Sequence, residues 1–119
     1  MRHNLTMHML HDADSVDALA IRIHTVASTR AHFRSKPISR AVGLAQQLDL
    51  HRGPLLLVWG EHDVTAVPDQ VARSLSQGRE QCRTQVIPGA GHWVQYEGAD
   101  VINRLLMAWL GEMAPEDRQ

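Results

Sequence analysis

Two short stretches of the 119-residue sequence hold residue types suited to proton transfer. Trp59-Gly60-Glu61-His62-Asp63 places a carboxylate three residues beyond a glycine. Gly89-Ala90-Gly91-His92 places a histidine in a glycine-rich stretch. A carboxylate that accepts from one imidazole nitrogen fixes the ring's tautomer. It also stabilises the imidazolium formed when the other nitrogen takes a proton. The glycines permit backbone conformations that a side chain forbids, so the loop is free to aim the ring. Taken singly, Asp63 is a carboxylate able to cap a turn, and His92 a histidine that packs or is solvated. Together, each following a strand, they read as an acid and a base.

The elements that must position them lie in the second half of the chain. Leu55-Leu56-Leu57-Val58-Trp59 is an unbroken apolar run, the pattern of a parallel strand buried on both faces, and it ends at Gly60. Pro68 suits the first turn of a helix carrying Val71, Ala72 and Leu75 and stopping near Gly78. Thr84-Gln85-Val86-Ile87 is a second strand, ended by Pro88. A helix from Ala99 to Met113 follows, with Ile102, Leu105, Leu106, Trp109, Leu110 and Met113 on its apolar face. The order strand, helix, strand, helix is the repeating unit of α/β folds with a parallel sheet. In such sheets ligands bind at the carboxyl ends of the strands, which puts Asp63 and His92 at one sheet edge. Two strands do not make a stable sheet alone, so further strands are expected from elsewhere.

The first half reads as helical, with no strand pattern. Val16, Leu19, Ala20, Ile23, Val26 and Ala27 recur at helical steps between Ser15 and Phe33. Asp14 or Ser15 is the expected cap, and Arg34-Ser35-Lys36-Pro37 the expected stop. A short helix is expected from Arg40 to Leu48, before a turn at His51-Arg52-Gly53-Pro54.

Twelve Lys and Arg against thirteen Asp and Glu give a formal net charge of −1, which supplies no bulk attraction for nucleic acid or an anionic membrane. No apolar run approaches the roughly 20 residues of a bilayer span. The single cysteine, Cys82, cannot form an internal disulfide, and Met1-Arg2-His3-Asn4, without an apolar core or small-residue cleavage site, is not expected to begin a signal peptide. A cytoplasmic location is expected.

From Leu55 to Leu110 the sequence resembles the end of the α/β-hydrolase superfamily: the acid loop WGEHD, then PGAGHWVQYE, then a closing helix. Acid before histidine is also that family's order, with the nucleophile before both. The resemblance implies that Asp63 is the triad acid and His92 the general base. Trp93 is similar to the residue beside the histidine in the meta-cleavage-product hydrolase and esterase-like subgroup, and with Val64 is expected to line the substrate pocket. The resemblance divides the chain into a helical cap or lid at 1–50, the C-terminal part of the hydrolase core at 51–113, and a flexible tail at 114–119. It implies a small ester or ketone-like substrate and no cofactor.

The sequence departs from the family at the nucleophile. Ser15, Ser28, Ser35, Ser39, Ser74 and Ser76 all lack the G-x-S-x-G setting of a nucleophile elbow, and Cys82 precedes a strand instead of following one. The chain is therefore expected to be a C-terminal portion, inactive alone. The alternative is a truncated, non-catalytic remnant that binds or oligomerises through an exposed sheet edge. His3, His8 and His11 cluster, with His8 and His11 at the spacing of one helix face, but no further ligand pattern accompanies them and no metal is expected. Arg30, Arg34, Lys36 and Arg40 are expected to be a solvated helix end.

Overall fold

The computed structural model describes residues 2–31 and 43–113. In chain order it contains α1 (Arg2–His8), a 3-10 turn (Ala13–Ser15), α2 (Ala18–Arg30), α3 (Gly43–Leu50) and β1 (Leu55–Gly60). Then follow α4 (Pro68–Ser76), β2 (Cys82–Ile87), a single turn of helix α5 (Val94–Glu97), and α6 (Ala99–Met113). The expected stop at Arg34–Pro37, the basic residues beyond Arg30 and the tail at 114–119 lie outside the described residues.

The two strands pair in parallel, with Leu55 opposite Cys82 and Gly60 opposite Ile87. β2 begins two residues earlier than the sequence indicates. Cys82 and Arg83 carry no apolar pattern of their own, and their pairing with Leu55 and Leu56 makes them strand. The connection through α4 is the crossover that parallel strands require. Pro68 stands at the start of α4, where its missing N–H costs nothing.

Capping of α2 differs from the sequence expectation. Asp17, not Asp14 or Ser15, is its N-cap and accepts from the Ala20 N–H at 2.8 Å. Asp12 instead caps the 3-10 turn by accepting from the Asp14 N–H at 2.9 Å, which takes Asp14 and Ser15 out of the helix. His8 ends α1 and His11 lies beyond it, so the two share no helix face.

Among the described residues two small cores result. Leu5, Leu10, Val16 and Ala20 form one, with Met9, Ile21, Trp93 and Tyr96 packed against it. Ile87, Ala90, Val94 and Ile102 form the other, against Val58. The histidine loop and α5 lie between them and join the helical half to the sheet.

Burial on the remaining faces falls short of the apolar pattern. Leu55 to Trp59 are half-buried along their length, not buried on both faces. Of the α6 face only Ile102 is buried, while Leu106, Leu110 and Met113 are exposed. Two strands offer too narrow a surface to cover a helix of this length, and among the described residues each strand has one edge without a partner strand.

Candidate active site

The acid and histidine loops are laced together at the carboxyl ends of the strands. Glu61 N–H donates to Ile87 O and His62 N–H donates to Ala90 O, each at 2.9 Å. Gly89 N–H donates to the Glu61 carboxylate at 3.0 Å. Gly60 lies directly against the carbonyls of Ala90 and Gly91, with no room for a Cβ. Gly89 turns the chain with a φ of 68°, a conformation that only glycine adopts freely.

These contacts bring Asp63 and His92 together. His92 Nδ1 lies 3.0 Å from Asp63 Oδ2 and 3.1 Å from Oδ1. The Asp63 side chain is 6% exposed and that of His92 is 39% exposed, so the carboxylate is enclosed while the ring still reaches solvent. A third residue, with no glycine setting to announce it, completes the arrangement. The Thr65 hydroxyl donates to Asp63 Oδ1 at 2.7 Å, the Thr65 N–H donates to the same oxygen at 2.8 Å, and the hydroxyl oxygen stands 3.2 Å from His92 Nδ1.

The tautomer follows from this inventory. Thr65 has one hydroxyl proton and gives it to Asp63, so Nδ1 faces only acceptors and must carry a proton itself. Nε2 is then left with a lone pair able to take a proton. Burial pushes the Asp63 carboxyl up. Hydrogen bonds from His92, from the Thr65 hydroxyl and from the Thr65 N–H, with the attraction of the His92 ring, outweigh it and hold the carboxyl below its ordinary value.

The two expected pocket residues part company. Val64 and His92 line a cavity of about 70 Å³ together with His11, His62 and Met7. That is far below the roughly 300 Å³ at which ligand pockets begin. Over it His11 and His62 stack, with ring centroids 3.6 Å apart. Trp93 does not line this cavity. It packs on the Leu5–Leu10–Val16–Ala20 core, 6.3 Å from the Tyr96 ring and 6.2 Å from that of His24. A larger hollow of about 400 Å³ lies at the opposite end of the strands, beside Asp49, Arg79 and Cys82, away from Asp63 and His92.

The described serines stand on helical segments: Ser15 in the 3-10 turn, Ser28 on α2, and Ser74 and Ser76 on α4. Ser28 Oγ is 3.5 Å from His24 Nδ1, not from His92. Among the described residues no group of three or more His, Cys, Asp or Glu side chains is placed to hold a metal ion. No described helix is long and apolar enough to cross a membrane.

The parallel strand pair brings Asp63 and His92 to its carboxyl edge. The alpha/beta hydrolase fold family model matches residues 4–99, and the chain belongs to that family. Among its relatives, a 2-hydroxy-6-oxononadienedioate/2-hydroxy-6-oxononatrienedioate hydrolase of Cupriavidus pinatubonensis is 28% identical over 110 residues, which are 86% of this chain and 38% of that protein. Epoxide hydrolase 3 of Xenopus tropicalis is 34% identical over 59 residues, 50% of this chain and 16% of that protein. The chain thus spans well under half the length of these relatives. A meta-cleavage product hydrolase from Pseudomonas fluorescens superposes with a TM-score of 0.68 at 22% identity, covering 96% of this chain and 45% of that one. A thermophilic esterase from Thermogutta terrifontis superposes with a TM-score of 0.52 at 24% identity, covering 57% of this chain and 25% of that one. These likenesses establish the fold.

Proposed function

We propose that this chain supplies the acid and the base of a hydrolase triad that cleaves an ester or an activated carbon–carbon bond. The carrying observation is the 3.0 Å contact between the His92 ring and the Asp63 carboxylate. His92 Nε2 removes the proton of a serine hydroxyl as that oxygen attacks the substrate carbonyl, then passes it to the leaving group. Water, deprotonated by the same nitrogen, releases the acyl group and restores the serine. Asp63 holds the ring and offsets the charge of the imidazolium. Helices α1 to α3 serve as the end of a cap over the site, and Val64 contributes to the pocket wall.

The attacking serine comes from outside these 119 residues, so the chain alone does not turn over ester. Incubating the purified chain with a fluorophosphonate, followed by mass spectrometry, tests this. No labelled serine is expected, and stoichiometric labelling of any serine overturns the assignment of the nucleophile.

A binding or oligomerisation module is the alternative, favoured by the strand edges that have no partner strand among the described residues and by Leu19, Ile23, Leu106 and Leu110, all exposed. Sedimentation of the purified chain separates the two. A discrete dimer favours the module, and a soluble monomer favours the triad half.

A further inference from the structure

We propose that Glu97 is a positioning residue for His92, clamping the histidine loop to the segment that follows α1. This rests on Asp63 and His92 being an acid–base pair, and adds what holds the base in place.

Glu97 ends the short helix α5, whose turn forms immediately beyond the histidine as Tyr96 and Glu97 N–H donate to Trp93 O at 2.8 and 3.1 Å. That turn carries the Glu97 carboxylate back over the loop. Its Oε2 accepts from the Gly91 N–H at 2.5 Å, and its Oε1 accepts from the Asp12 N–H at 2.7 Å, across 85 positions of sequence. On the other flank of His92, Trp93 N–H donates to Met9 O at 2.7 Å. The residues before and after the base are thus each tied to the 9–12 segment, one through Glu97 and one directly.

Both oxygens of this half-buried carboxylate take a backbone N–H, and such charge-assisted bonds are the stronger kind. Packing is close enough for the clamp to matter: a Cβ on Gly91 would stand 2.8 Å from His11 N and 3.0 Å from Met9 O. A general base works only if its ring is held to within about 0.5 Å of the productive position. The His92 ring hydrogen-bonds to Asp63 and Thr65 of the acid loop, and its backbone is held by the flanking ties. Loss of Glu97 leaves two N–H groups without their acceptor and frees the loop to swing the ring off Asp63.

The test is the ring tautomer of His92 in the full chain, read from long-range nitrogen–proton correlation spectra of ¹⁵N-labelled protein. Wild type is expected to show His92 in the Nδ1–H form, and Asp63→Asn to change that pattern. Glu97→Ala is expected to lose the single Nδ1–H form for a mixture, while its circular dichroism and cooperative melt persist. Glu97→Gln keeps the shape and one acceptor oxygen but turns an NH₂ toward the other donor, so an intermediate mixture is expected. A folded Glu97→Ala with an unchanged His92 spectrum overturns the proposal, since a merely structural glutamate does not move a tautomer. If Glu97→Ala does not fold, Glu97→Gln decides by the same criterion. If Asp63→Asn also leaves the His92 spectrum unchanged, it is the acid–base pairing that fails.

Discussion

Asp63 and Thr65 form a unit within one turn: the Thr65 hydroxyl and N–H both donate to Asp63 Oδ1, at 2.7 and 2.8 Å. The carboxylate is therefore anchored within its own loop as well as by the His92 ring.

Thr65→Val tests this anchor. The substitution removes the hydroxyl and keeps the shape and the N–H bond. A stability loss of about 1 kcal/mol is expected, read from chemical denaturation. The Asp63 carboxyl should also titrate higher by carbon NMR, since one of the bonds that holds it down is gone.

Asp63→Asn is expected to preserve the fold and disable the proposed base, His92. When this segment is joined to the nucleophile-bearing part of a complete enzyme, kcat should fall about 10⁴-fold, as for loss of the carboxylate in other triads. A loss smaller than tenfold would remove Asp63 from the mechanism.

Acid should destabilise the chain through the same carboxylate. The bonds from His92 and Thr65 hold the folded-state Asp63 carboxyl below its ordinary range, so its contribution is fully present above the ordinary carboxylate value. It is lost as pH falls through the lower, folded value. Melting temperatures followed from neutral pH to about pH 2 should drop in that acid range, and Asp63→Asn should flatten part of the drop.

Gly60→Ala places a methyl group against the carbonyls of Ala90 and Gly91, backbone atoms that cannot turn aside. A loss of about 3 kcal/mol is expected by urea unfolding. The His92–Asp63 contact should go with it, because the acid and histidine loops meet at Gly60.

Leu5→Ala removes a fully buried side chain from the core on which Trp93 and Tyr96 rest. About 3 kcal/mol is the expected cost, again by urea unfolding. Tyr96→Phe should be milder than Asp17→Ala. The first removes only the 2.6 Å bond from the Tyr96 hydroxyl to Asp17, and the second also uncaps α2.

What the sequence by itself determined are features written in adjacent residues. The apolar run 55–59, the prolines at 68 and 88, and the helical period of 99–113 mark β1, α4, the end of β2 and α6, because strand, turn and helix preferences act over a few positions. The glycines beside Asp63 and His92 likewise singled out the two loops, and their order pointed to the family. Tertiary structure alone decided the rest. Asp17 became the cap of α2 only once Asp12 had drawn Asp14 and Ser15 into the preceding turn. Trp93 packs on the Leu5 core and not in the cavity beside Val64, with its backbone N–H donated to Met9 O. Thr65 looks unremarkable in the chain, and Glu97, although it ends the PGAGHWVQYE stretch, spans 85 positions to reach Asp12. Contacts at such separation leave no periodic trace, since they depend on how the turns between them close.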